Sequence, residues 1–320
     1  MSPLSRLRAL LLRSFSTNAP LTATALLMLG LLLGFSVGLL LDPRLVLGAP
    51  VWLKPAKFAL SIAIYCFSMV WLFGYIPERV RTRRIVGWVT VAAMLLEMGI
   101  IGAQAARGTT SHFNVSTPLD ALLFTVMGAG ILLQTFTSVA LAVALFRQRF
   151  DDTALGWAVR LGMAITIAGA LIGGAMTRPT PEQIAQMSAG TPSVAGAHTV
   201  GAADGGPGMT GTGWSKEHGD VRIPHFMGLH AMQLLPLLAL ASRRLGASRE
   251  QRVRLVLTLA GSYVTLFGIL LWQALRGQSL FAPDVSTLLA LSAWAATTTS
   301  LTWALLKRRP LQRQVPVIAA

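Results

Sequence analysis

A chain of 320 residues that is 53% hydrophobic, only 12% charged and +0.61 in mean hydropathy lies outside the range of soluble domains, where about a quarter of residues carry charge. Its net charge of +15 does not point to nucleic acid, because the basic residues form short clusters between long apolar runs, the pattern that orients helices in a bilayer. The single cysteine, Cys66, excludes a disulfide framework and a paired-cysteine zinc site, and the lack of a Walker A glycine loop excludes a P-loop nucleotide hydrolase.

The chain opens with MSPLSRLRALLLRSF, a basic amphipathic stretch closed by a polar break at Ser16 to Asn18. The apolar run that follows has no small-x-small cleavage site after Leu41, so it reads as a retained helix rather than a signal peptide. A spanning helix needs roughly 20 mostly apolar residues. Eight segments qualify: about Leu21–Leu41, Lys57–Ile76, Ile85–Ala106, Leu119–Phe146, Leu155–Met176, Pro224–Ser242, Leu255–Leu275 and Val285–Leu306. The fourth is long enough to tilt or to project beyond the hydrocarbon.

The connections alternate in charge. One side carries 19 of the 27 Lys and Arg residues, from Arg6, Arg8 and Arg13 to the tail Lys307, Arg308, Arg309 and Arg313. The other side carries Arg44, Lys54, Lys57, Arg107, Arg178, Lys216, Arg222 and Arg276. The positive-inside rule therefore places both termini in the cytoplasm, in a membrane of the bacterial inner type. Residues 177–220 form a long outer loop rich in Gly, Ser, Thr and Pro. No apolar period is visible in it, and flexibility is expected over 186–212.

Two outer helix ends carry nearly the same string. Gln104-Ala105-Ala106-Arg107-Gly108 follows the third span, and Gln273-Ala274-Leu275-Arg276-Gly277 follows the seventh, 169 residues later. At an offset of 168, Lys54-x-x-Lys57-Phe58 matches Arg222-x-x-His225-Phe226. These matches predict two four-helix halves, 1–150 and 151–320. With an even number of helices per half, the repeats are parallel. The fold class expected is thus an all-α integral membrane protein with eight transmembrane helices in two parallel four-helix repeats.

The polar residues converge on the outer half. All five histidines, His112, His198, His218, His225 and His230, belong to it. Ionisable groups within spans are costly and mark a cavity or pathway. Glu97 lies roughly 14 Å inside the third span at 1.5 Å per residue, with Gln104 on the same face two turns on. Arg107, the loop Ser111 to Asn114, and Asp120 follow, with Gln134 mid-way along the fourth span. His225 opens the sixth span after Pro224, and His230 and Gln233 share a face below it. Tyr263, Gln273 and Arg276 complete the set. The expectation is an outward-opening, periplasmic-side polar cavity. Glu97 and Asp120 are its candidate catalytic acids, and His112, His225 and His230 could hold a cofactor. Lys54, Lys57, Gln104, Arg107, Asn114, Arg222, Gln233, Gln273 and Arg276 could contact a ligand.

Three functions compete. A basic rim around a lone intramembrane carboxylate suits a transporter or binder of a small anionic or lipid-like ligand, with a proton linked to Glu97. His112 and His225, at similar depth on different helices, could instead ligate b-type haem, with Lys54, Lys57, Arg107 and Arg276 on its propionates. Alternatively, His112, His225 or His230 with Asp120 could hold a divalent metal in an enzyme acting on a lipid-type substrate. His225 and His230 lie five apart, about 140° around a helix, so sharing one metal needs an irregular helix start.

Overall fold

The computed structural model describes residues 2–307. The tail arginines Arg308, Arg309 and Arg313 that entered the charge count lie outside these residues. Among the described residues, eight helices are long and apolar enough to cross a membrane. They are α2 (Ala19–Leu41), α3 (Leu53–Phe73), α4 (Val80–Ala106), α5 (Pro118–Arg147), α6 (Thr153–Ala175), α8 (Arg222–Ala241), α9 (Arg249–Leu275) and α10 (Val285–Lys307). The amphipathic N-terminal stretch forms a ninth helix, α1 (Pro3–Thr17), whose Leu4, Leu7, Leu10 and Leu12 are exposed. This is the architecture of an all-α, multi-pass membrane protein.

The helix starts are written locally. Asn18, Thr117, Asp152 and Ser248 each accept a backbone N–H from the first turn of α2, α5, α6 and α9, which satisfies a donor that the helix cannot. Pro20 and Pro118 sit in first turns, where the missing N–H costs nothing. Several helices outrun their apolar cores. α4 begins at Val80 rather than Ile85 because Arg81, Arg83 and Arg84 continue the helix, and α9 begins at Arg249. At 30 residues, α5 is about 45 Å long, well beyond a hydrocarbon core of about 30 Å.

Packing runs in pairs: α2 lies on α3, α4 on α5, α6 on α8, and α9 on α10. The α6–α8 pair is the closest, because Gly169 faces Gly228 and Gly162 faces the Ala231 carbonyl. A Cβ built on Gly169 would lie 2.6 Å from Gly228 Cα. Small residues let helices approach in this way where lipid provides no hydrophobic drive. α10 buries only Thr287 and hangs on α9 through Trp294 Nε1 to Ser262 O (2.9 Å) and Ser262 Oγ with Thr298 (2.7 Å).

The arginine end of the bundle is stapled. Asp152 accepts from Arg243 (2.9 Å) and Arg252 (2.7 Å), and Arg160 donates to the Gln148 carbonyl closing α5 (2.6 Å). At the histidine end, the two similar strings form the same turn. Gly108 and Gly277 have φ of +72° and +71°, conformations that favour glycine. The N–H groups of Thr109 and Gln278 return to the carbonyls of Gln104 and Gln273 (3.0 and 3.2 Å). Each glutamine also donates Nε2 across its turn, to Thr110 O at 3.3 Å and to Ser279 O at 2.8 Å.

The segment between α6 and α8 departs from the flexible loop expected for 186–212. It holds a helix, α7 (Pro181–Ser188), started by a capping box of Thr180 and Gln183. β3 (Thr199–Val200) pairs antiparallel with β4 (Gly219–Asp220). Two shorter strands, β1 (Leu45–Val46) and β2 (Ala49–Pro50), form a hairpin before α3. Side-chain acceptors order the segment without an apolar period. Gln183 Oε1 takes the Gly196 N–H (2.8 Å), and Asp204 takes those of His198 and Thr199.

Candidate functional site

Lys54 stands in the first turn of α3, beside Pro55. Its Nζ lies 3.1 Å from His112 Nδ1, which is also 3.1 Å from Ser111 Oγ. A lysine ammonium only donates, so Nδ1 accepts and the imidazole proton sits on Nε2. That Nε2 faces Glu97 Oε2 at 3.9 Å, too long for a hydrogen bond and short enough for one bridging atom. Glu97 is 3% exposed, and its Oε1 has no partner. Phe58 lies against the imidazole, with ring centroids 5.6 Å apart. Three residues that the sequence singled out therefore meet in one line, Lys54–His112–Glu97, drawn from α3, the α4–α5 loop and α4.

The 177–220 segment roofs this cluster rather than leaving it open. Ala195 N–H donates to Phe113 O (2.8 Å), Val115 N–H to Ser193 O (3.1 Å), and Asn114 bridges Val194. Gly196 is required at the contact, since a Cβ there would lie 2.7 Å from the Phe113 ring. Phe113 itself has φ of +62°, unusual for a bulky residue, and stacks on His198 at 4.8 Å. His198 Nδ1 pairs with Asp204 Oδ2 at 2.7 Å. Lys57 Nζ donates to Thr212 O (2.7 Å), and Arg222 to Gly213 O (2.7 Å).

The remaining candidates are engaged elsewhere. Asp120 caps a local network, accepting from Gln104 (2.8 Å), Arg107 (2.7 Å) and Thr117 (2.7 Å), which is a helix-start role rather than a free acid. Asn114 closes its own loop through Thr109, Thr110 and Ser116. Arg222 pairs with Asp220 (2.6 Å) and Arg276 with Asp284, over the Trp272 ring. Gln273 holds its turn. His230 packs on Phe226 at 4.3 Å, and Gln233 donates to Ser68 Oγ at 3.0 Å. His225 donates Nδ1 to the Gly169 carbonyl at 2.7 Å, which fixes it to α6. Haem ligation by the His112–His225 pair would need the His112 Nε2 that now faces Glu97. Among the described residues, no group of three or more His, Cys, Asp or Glu is placed to hold a metal ion. Ser111, Phe113, His198 and Asp204 join the site through contacts within the roof and the α4–α5 loop; the sequence pointed to the 111–114 loop and to His198 among the outer histidines, and carried no signal for Asp204.

Burial, followed by the nearby Lys54 and the neighbouring imidazoles of His198 and His225, holds the His112 imidazole well below the usual histidine value of 6.5. Burial also lowers His198, against the pull of Asp204. For Asp204, burial raises the carboxyl, but the hydrogen bond and charge of His198 together with the backbone N–H groups of His198 and Thr199 outweigh it, and the net direction is down. The unfolded histidines therefore take up protons before the folded ones do, so stability is full above about pH 6.5 and falls as the pH drops below it. Thermal unfolding in detergent is expected to show that decline. His112→Gln should flatten the slope, and an unchanged slope would contradict the burial of a neutral imidazole.

Fold and cluster together define a multi-pass helical membrane protein with a buried, roofed ionisable site. No family model, curated protein or solved structure matches the chain.

Proposed function

We propose that this protein binds a small anion at the Lys54–His112–Glu97 site and carries it across the membrane in a proton-linked manner. One observation carries the reading. Among the described residues, Lys54 has no carboxylate within 4 Å, yet it is held on His112 opposite a buried Glu97 with an unpartnered oxygen. Such a cation under a roof attracts an anion, and a proton on Glu97 removes the repulsion that its carboxylate would exert on that anion.

The same reading takes both termini as cytoplasmic, the membrane as the bacterial inner type and the roofed site as periplasmic, on the arginine asymmetry. It takes the chain as two parallel four-helix halves, 1–150 and 151–320. Supporting this are the identical turns at Gly108 and Gly277 and the recurring helix pairs, α2 on α3 with α4 on α5, and α6 on α8 with α9 on α10. The 177–220 roof is then an insertion in the second half.

Thermal stability of the detergent-solubilised protein, titrated with inorganic phosphate, acetate and succinate, tests the site. At least one anion should stabilise, more strongly near pH 6 than near pH 8 as the proton on Glu97 favours binding. Lys54→Ala should abolish the effect, and Glu97→Gln should make it independent of pH. If none of the three anions stabilises the wild-type protein at either pH, the reading fails.

A further inference from the structure

Beneath the site, α3 carries polar residues at a helical spacing. Lys54, Lys57, Ser61, Tyr65 and Ser68 fall within about 80° of one another on a wheel of 100° per residue. α3 packs most closely on α2 and also meets α4. The polar side meets α5 and α8 through side-chain bonds: Tyr65 Oη accepts from Gln134 Nε2 at 2.8 Å and lies 3.3 Å from Ser138 Oγ, and Ser68 Oγ accepts from Gln233 at 3.0 Å.

Buried polar atoms without partners line the same depth. Gln134 is 5% exposed and its Oε1 has no partner, and exchanging its amide O and N would only move the vacancy to the other end. Thr90 is fully buried with Oγ1 unpartnered, and it shares a face of α4 with Glu97 and Gln104 at spacings of seven. With Glu97 Oε1, that makes orphaned groups on α4 and α5 below the roof. Such groups are satisfied by ordered water where the site is polar. Ser68 and Thr90 lie roughly 22–24 Å from the histidine ends of their helices, most of the way through a hydrocarbon core of about 30 Å. Just beyond the end of α3, Tyr75 stands at the arginine end, where its ring meets Phe150.

We propose that the polar face of α3 lines a hydrated path by which protons pass between Glu97 and the arginine end of the bundle. This rests on the proton-linked reading of Glu97 and adds the route. Protons move along water and the hydroxyls of Tyr65, Ser138 and Ser68, with no bond formed or broken except O–H and N–H.

The test is reagent access in proteoliposomes. In a Cys66→Ala background, Ser61→Cys and Ser68→Cys should react with a charged methanethiosulfonate at least about tenfold faster than Leu33→Cys and Leu132→Cys, whose parent side chains are exposed on the outside of α2 and α5. Reaction at 61 without reaction at 68 would mean a pocket that ends at Tyr65, and would overturn the path. A second measurement needs no cysteine. A trapped pH dye should report proton entry driven by a potassium diffusion potential, faster than in protein-free liposomes, and Gln134→Leu should slow it by about tenfold. Entry no faster than in empty liposomes, or unchanged by Gln134→Leu, also overturns the path. Anion-induced stabilisation in the same variants keeps the two ideas apart: intact stabilisation with an unreactive 68 removes only the path, and lost stabilisation in the wild type removes the site.

Discussion

A Gly169→Leu variant should not accumulate as a monodisperse protein in detergent. α6 and α8 meet backbone to backbone at Gly169 and Gly228, and even a methyl group at Gly169 would lie 2.6 Å from Gly228 Cα. Leucine can only be accommodated by moving the axes apart toward the 8–10 Å of ordinary helix pairs. That separation would break three bonds that depend on the crossing: His225 Nδ1 to Gly169 O (2.7 Å), Met232 N to Thr166 Oγ1 (3.1 Å) and Thr166 Oγ1 to Leu229 O (3.3 Å). Overpacking plus these losses should cost on the order of 3–5 kcal/mol, a large share of typical stability. Size-exclusion chromatography and melting curves check it. Gly174→Leu and Gly30→Leu, where an added Cβ meets nothing within 4 Å, serve as controls. If Gly169→Leu melts with the controls, the close crossing is not what holds these helices.

The second large effect is expected from the charges of the site. Lys54 and Glu97 attract each other across His112. Removing one member of a buried charge pair leaves the other uncompensated, and this is more damaging than removing both. Lys54→Met and Glu97→Gln should therefore each lose about 2–3 kcal/mol, the first leaving the Glu97 carboxylate and the second the Lys54 ammonium without its partner. The double variant should recover at least about 1 kcal/mol relative to Lys54→Met alone. Unfolding by titrated denaturing detergent gives all four corners of the cycle. Strict additivity would mean that the two groups do not sense each other.

Much of the fold was legible because a bilayer constrains sequence so strongly. Eight apolar runs announce eight helices, and their errors lie at basic ends such as Arg81–Arg84, where charge continues a helix past the hydrocarbon. The paired turns were legible because Gly108 and Gly277 need a left-handed backbone that few other residues adopt. Glu97 was legible as a lone carboxylate deep in a span. Asp120 was legible as an acid opening α5, while its bonds from Gln104, Arg107 and Thr117 were not, because those partners lie on another helix, at its end and at the helix cap. The roof was not legible. It is held by backbone groups and by contacts such as Lys57 to Thr212, 155 residues apart, which leave no periodicity behind. The Tyr65–Gln134–Ser138 cluster was half visible: Gln134 stands out in an apolar run, whereas its partner Tyr65 is 69 residues away on another helix.

The left-handed backbone at Phe113 has a mechanical meaning. A bulky residue at φ of +62° holds about 1–2 kcal/mol of backbone strain, and the roof clamps it there through the Ala195 N–H on the Phe113 carbonyl and His198 on the Phe113 ring. His112 is the adjacent residue. Unfastening the roof would let residue 113 spring back to an extended backbone and swing the imidazole off the line between Lys54 and Glu97. Closing it would cock that spring again. The contacts that close the roof over the site are thus also the ones that fix where His112 stands.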